Sequence, residues 1–316
     1  MKNLLVFVCW LLALNFEVLA YKKDPDFLEA ERNGAETCIR LVAKTDEGVP
    51  VPNAQVEVLM GMTFRERAYC LNGTTDTNGV FVISGKTTGN EIEIKVQKDG
   101  YYKAFKKLSY IRMGREHEVK DGRWLPWGDT LNIPLREIKS PVSLICHNAG
   151  FDIPNNGEWI GFDMEKQDWV APAGKGKIED FAVNLKWDGK QSMYSDLLEL
   201  RVRFSRDGDG YYYGDKTYGS AFSGVYQVDT NQCLQTELVC KVEKVDGGWK
   251  ETGIPNGKLM VVRSRTTLDQ HGAVIDTNYS VIRSISIFGG WHGTAEMGLN
   301  YQFNPIPNNT NLEPKR

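Results

Sequence analysis

Strict alternation of apolar and polar residues recurs along the chain. Ile92, Ile94 and Val96 share one face of the segment from Glu91 to Gln97, and Phe181, Val183, Leu185 and Trp187 repeat the pattern. Leu198, Leu200, Val202 and Phe204 alternate with Glu199, Arg201 and Arg203, and Met297, Leu299, Tyr301 and Phe303 close the series. A period of two sends successive side chains to opposite faces, so each segment predicts an antiparallel strand with one side on a core and the other toward water. Asn78-Gly79, Asp99-Gly100, Asp207-Gly208, Asp246-Gly247 and Asn256-Gly257 tolerate positive φ and predict hairpin turns between such strands. Helical periodicity is confined to the stretch from Asp24 to Arg32, compatible with a short helix or an unstructured lead-in. The expected fold class is all-β.

A chain of 316 residues exceeds the size at which one core usually stops growing, so two domains are expected. The boundary is placed between Glu137 and Pro141. Residues 21–35 form a lead-in, 36–137 a first β-sandwich, 138–303 a larger β-rich domain and 304–316 a tail. The stretch from Asn148 to Gly176 is rich in Gly, Pro and Asn, lacks clear periodicity and is expected to be an irregular surface run. Pro305, Pro307 and Pro314 predict an extended arm after the last strand.

Lys2, the apolar run from Leu4 to Leu14 and the small Ala20 read as a signal peptide cleaved after Ala20. The run falls short of the roughly 20 residues that span a bilayer. The expected location is therefore secreted, periplasmic or at the cell surface, with no integral membrane segment after cleavage. Net charge is −3, and no basic surplus points to nucleic acid. Six cysteines include Cys9 in the leader, leaving Cys38, Cys70, Cys146, Cys233 and Cys240, of which at least one lacks an intrachain partner. Cys38 and Cys70 both fall in the first module and are the favoured disulfide, which leaves one or three free thiols.

Several features of the first module have a specific order. Asp46-Glu47-Gly48-Val49-Pro50-Val51-Pro52-Asn53-Ala54 precedes the segment from Val56 to Met60, then come Thr75-Asp76-Thr77-Asn78-Gly79-Val80-Phe81 and Asp99-Gly100-Tyr101. This order resembles the carboxypeptidase regulatory-like family, a seven-stranded Ig-like sandwich of transthyretin-like topology found as an accessory module in exported proteins. The resemblance implies that Gly48 with Pro50, Asn78-Gly79 and Asp99-Gly100 shape successive hairpins, and that the module stabilises, spaces or binds without catalytic residues of its own. The later region, with Gly161-Phe162-Asp163, Asp168-Trp169-Val170-Ala171-Pro172 and Phe303-Asn304-Pro305, resembles segments of uncharacterised exported bacterial proteins and implies no activity.

Candidate chemistry is sparse. His117, His147, His271 and His292 stand singly, without the spacing of a zinc site, and no cofactor is implied. Cys146 and His147 are adjacent, but neighbours on a strand point to opposite faces and cannot share a proton. Ser205-Arg206-Asp207-Gly208-Asp209-Gly210 has the look of a calcium loop, yet Lys216 stands where a bidentate Glu is needed, so a hairpin tip is the better reading. Ala173-Gly174-Lys175-Gly176-Lys177 lacks the spacing of a phosphate loop. Between Lys98 and Arg123 eight Lys or Arg face four Asp or Glu, interleaved with Tyr101, Tyr102, Phe105 and Tyr110, as in an edge strand guarded by lysines or a contact for polyanionic glycans.

Glu158, Trp159, Asp163, Glu165, Asp168 and Trp169 lie within twelve residues. Tryptophan faces beside carboxylates suit sugar rings and hydroxyls, and paired carboxylates serve glycoside hydrolysis. A loop anchored by Trp is the structural alternative. Trp159, Asp163 and Trp169 are the expected ligand residues, with the segment from Gly157 to Gly176 as the functional surface. The sequence thus favours an exported binding or structural module with a glycan or cell-surface component as partner. A glycan hydrolase using loop carboxylates, or an envelope assembly component acting by protein contact, are the alternatives.

Overall fold

The computed structural model describes residues 24–61, 69–89, 91–112, 115–116, 119–154, 157–187, 198–245, 248–289 and 294–315. The leader, His117, His292 and the Asp246-Gly247 turn lie outside the described residues. The chain divides into two compact units between Leu135 and Arg136.

The first unit opens with helix α1 (Pro25–Asn33). The Asp24 carboxylate accepts from the Asp26 N–H and Pro25 occupies the first turn, where its missing N–H costs nothing. Phe27 and Ala30 are buried. Strands follow as β1 (Ala35–Lys44), β2 (Gln55–Met60), β3 (Tyr69–Thr74), β4 (Val80–Thr87), β5 (Ile92–Gln97) and β6 (Ala104–Leu108). Four two-residue strands come next, β7 (Ile111–Arg112), β8 (Arg115–Glu116), β9 (Val119–Lys120) and β10 (Arg123–Trp124), and β11 (Asp129–Pro134) ends the unit.

β1 is flanked by antiparallel β4 on one side and by parallel β10 and β11 on the other, and the second sheet runs β3-β2-β5-β6. Their apolar faces enclose Leu41, Ala43, Val56, Val58, Ile83, Ile92, Ile94 and Ile133, with Trp124 fully buried among them. Seven principal strands thus form the expected sandwich. The turns differ from expectation in what they join. Asp99-Gly100 closes the β5–β6 hairpin and Gly48 a tight reversal in which Lys44 bridges Pro50 antiparallel, but there and at Asn78-Gly79 the chain also passes from one sheet to the other. Gly79, at φ 71°, sits where a Cβ would lie 2.4 Å from the Ala43 carbonyl oxygen, so only glycine fits the crossing.

The second unit contains β12 (Ile145–Asp152), β13 (Trp159–Asp163), β14 (Asp168–Trp169), β15 (Phe181–Trp187), β16 (Leu198–Arg203) and β17 (Gly210–Asp215). It continues with β18 (Glu237–Val245), β19 (Gly248–Thr252), β20 (Lys258–Leu268), β21 (Val274–Gly289) and β22 (Ala295–Asn304). A five-stranded antiparallel sheet, β12-β22-β21-β20-β17, and a six-stranded one, β14-β13-β15-β16-β18-β19, contribute to one core. Phe162, Phe181, Val183, Leu185, Leu200 and Val202 come from the larger sheet, and Met260, Val262, Ile282, Met297, Tyr301 and Phe303 from the smaller.

Three expectations are corrected here. The supposedly irregular run after Asn148 contains most of β12, all of β13 and β14. Its periodicity is masked because β12 is an edge strand with few buried positions. Asp207-Gly208 is not a hairpin tip, since β16 and β17 belong to different sheets and the turn crosses between them, as does the Asn256-Gly257 turn between β19 and β20. The tail is not a free arm. The Asn304 side-chain amide donates to the Asn309 and Asn311 carbonyls, Leu312 is buried against Leu259, Val261, Tyr279 and Val281, and the Glu313 carboxylate accepts from the Lys139 and Ser140 N–H groups.

Candidate functional site

Of the three residues expected to bind ligand, two are committed to the fold. Trp169 is 5% exposed. Its indole N–H donates to the Asp152 carbonyl at 2.9 Å and its ring meets Phe162 edge-on at 5.3 Å. Trp159 is 39% exposed, and the Arg203 guanidinium covers its ring at 4.1 Å. The two indoles therefore do not form an open pair of platforms.

Asp163 is 1% exposed and saturated with donors. Its carboxylate accepts from the backbone N–H groups of Glu165, Lys166, Lys177 and Ile178 and from Arg265 Nη2 at 2.8 Å. Arg265 sits at φ 57° in a bulge of β20, which aims its guanidinium out of the ladder. It forks onto Asp180 through Nε and Nη2, both at 2.8 Å, reaches Glu165 at 2.6 Å, and lies 4.8 Å from the centre of the Phe303 ring. Burial alone would raise the Asp163 carboxyl, but the backbone donors and the Arg265 charge together hold it below its ordinary range. The Arg265 hydrogen bond likewise lowers Glu165. Asp168 accepts from the N–H groups of Trp169 and Lys175. These carboxylates tie loops together; they do not face each other across a cleft.

The remaining candidates resolve similarly. Cys146 is exposed while His147 stacks on Phe151 and Tyr301, so the two do point to opposite faces of β12. Asp209 turns inward to accept from the Arg265 and Thr266 N–H groups, away from any ion it could share with Asp207. Cys38 lies in β1 and Cys70 on the exposed face of β3, in different sheets, and the expected disulfide is absent: all five described cysteines are free. The count of one or three free thiols is corrected accordingly. Among the described residues, no group of three or more His, Cys, Asp or Glu is placed to hold a metal ion, and no helix is long and apolar enough to cross a membrane.

An open site lies on the first unit, on the outer face of the β3-β2-β5-β6 sheet. The inward residues Val56, Val58, Ile94, Val96 and Ala104 fix which side chains must point out. Strand order then sets Asn72 beside Glu57, Glu57 beside Lys95 and Lys95 beside Phe105, with Gln55 beside Gln97 in the next row. Lys95 Nζ lies 3.0 Å from Glu57, which raises the ammonium above its ordinary range, and the Gln97 amide donates to Gln55 at 2.8 Å. Phe105 is 54% exposed. These residues, with Lys103 and Thr74, line a groove of about 810 Å³, within the ~300–1,000 Å³ typical of small-molecule sites. The groove offers amides, a carboxylate and ammonium groups around one open aromatic face.

No family model matches the chain, and no curated protein matches it in sequence. Among solved structures, 3-chlorocatechol 1,2-dioxygenase from Rhodococcus opacus 1CP is similar over 33% of this chain and 61% of its own, at 12% identity and a TM-score of 0.25. Catechol 1,2-dioxygenase from Acinetobacter sp. ADP1 is similar over 37% of this chain and 55% of its own, at 16% identity and a TM-score of 0.25. The shaft pilin SpaA from Lactobacillus rhamnosus GG covers 79% of this chain and 87% of its own, at 11% identity and a TM-score of 0.23. The chain thus spans 55–61% of the length of these two dioxygenases, and no likeness at this level assigns a family.

Proposed function

We propose that this protein is a non-catalytic binding module working outside the cytoplasm, and that its first unit holds carbohydrate on the outer face of the β3-β2-β5-β6 sheet. The carrying observation is the groove in which Gln55, Glu57, Asn72, Lys95 and Gln97 line one open face together with the exposed ring of Phe105 at its edge. A sugar presents hydroxyls that donate and accept, and a C–H face that packs on an aromatic ring. Glu57 and Lys95 are both solvent-exposed, so their pair can re-form around a ligand at little cost. The export expected from the leader fits such a role.

The test is a glycan array with the full chain after leader removal, followed by titration of the best saccharide with Phe105→Ala and Gln97→Ala variants. The parent should retain a defined set of glycans. Phe105→Ala should weaken binding at least tenfold, equivalent to about 1.4 kcal/mol, with an unchanged denaturation midpoint. Failure of the parent to retain any saccharide, or full affinity in both variants, would sink the reading.

A further inference from the structure

The second unit holds a site of different character. β21 carries a bulge between Ile282 and Ser284 in its pairing with β22, and Arg283 occupies it. Arg283 Nη1 donates to Ser223 Oγ at 2.6 Å and Nη2 to Gln302 Oε1 at 3.0 Å, while Nε is buried with no hydrogen-bond partner. Both partners are neutral, and among the described residues no carboxylate pairs with this guanidinium. Burial accordingly lowers its pKa below the ordinary arginine value, with only the nearby Cys146 acting in the other direction. Arg265 sits in the comparable bulge of β20 and is matched by Asp163, Glu165 and Asp180. One of two bulged arginines is neutralised and the other is not.

Arg283 walls a pocket of about 380 Å³. Lys216, Tyr218 and Ser284 line it together with the β19–β20 turn, from which Asn256 and Lys258 face the space. Lys216 has only the Tyr218 ring as a described partner, 5.6 Å away, and Lys258 pairs with the exposed Asp215. Glu251 is the one acidic side chain in the wall. With the Lys258 partner Asp215 counted beside Glu251, three cations still face two acids, which leaves a local excess of positive charge around a partly desolvated guanidinium in a chain of net charge −3.

We infer that this pocket binds the oxyanion of a small ligand, a carboxylate, sulfate or phosphate group, with Arg283 as the fixed, partly buried charge and Lys216 and Lys258 as movable arms. A partly buried guanidinium without a counter-charge carries a desolvation cost in the empty protein, and an anion in the pocket offsets it. Bulges recur beside functional sites because they re-aim a side chain out of the ladder. The site is independent of the groove on the first unit.

The test is calorimetric titration of the full chain at constant ionic strength with sodium sulfate, inorganic phosphate and galacturonate, using neutral galactose as control. At least one oxyanion should bind saturably, one per chain, with galactose silent at this site. A preference for galacturonate identifies a sugar acid; a preference for sulfate or phosphate identifies a free or esterified inorganic group. Lys216→Gln should weaken binding at least fivefold, and Phe105→Ala should leave it unchanged. Arg283→Met should abolish binding and, without ligand, melt no lower than the parent. Absence of saturable binding by all three oxyanions, or undiminished binding in Lys216→Gln, overturns the inference even if Arg283→Met fails to fold.

Discussion

Arg265 adopts a left-handed backbone at φ 57°, a conformation that costs a non-glycine residue roughly 1–2 kcal/mol. Three carboxylates and the Phe303 ring hold it there, so its removal strands Asp163 and Asp180 in the core. Arg265→Met is expected to lower stability by about 3–5 kcal/mol, the usual cost of breaking a buried pair from one side, read as a denaturant midpoint. Trp169→Ala should lose about 3–5 kcal/mol for the same reason of burial. The pH dependence has a definite sign. Asp163 and Glu165 have folded pKa values below their ordinary 3.8 and 4.5, so the stability they contribute is full above those values and is lost as pH falls through the depressed ones. Asp209 acts oppositely, because burial raises its carboxyl, and its contribution declines as pH climbs past 3.8. Unfolding curves between pH 6 and pH 2 should therefore show a steep acid loss in the parent and a shallower one in Arg265→Met. Equal slopes would show that the arginine does not set these carboxyls.

Among the elements, those with two-residue periodicity were legible. β5, β15, β16 and β22 fall where alternation places them because each has one face on a core. β12 was not, since an edge strand needs few apolar residues, and β13 hides its pattern behind an outward Trp159 and Gly161. Turn residues showed where the chain reverses but not which sheet it enters next, because positive φ serves a hairpin and a crossing alike. The tail misled for a related reason: proline forbids ladder pairing, yet Leu312 and the Asn304 amide dock it by other means. Deleting residues 305–316 should uncover Leu259, Val261, Tyr279 and Val281, lowering the denaturation midpoint and increasing binding of a hydrophobic dye. A truncated chain indistinguishable from the parent in both measurements would show the docked tail to be energetically idle.

For the whole molecule, the division at Leu135 predicts that residues 24–135 unfold cooperatively when expressed alone. A molten fragment, under conditions where the full chain is folded, would contradict it. Thiol chemistry should follow burial: Cys70, Cys146 and Cys233 are exposed and should alkylate in the native state, whereas burial pushes Cys240 up to about 12 and should protect it until unfolding. The sequence by itself determined the β class, the two-part organisation and many of the inward and outward faces, because those follow from side-chain period and chain length. Only the tertiary structure decided the sites. Whether Trp169 is a platform or an anchor depends on Asp152 and Phe162, and whether an arginine is neutralised depends on carboxylates about a hundred residues away. The groove at Phe105 exists because β2 pairs with β5 across 38 residues between Glu57 and Lys95. Burial and charge compensation are properties of neighbours in space, and local residue patterns do not encode them.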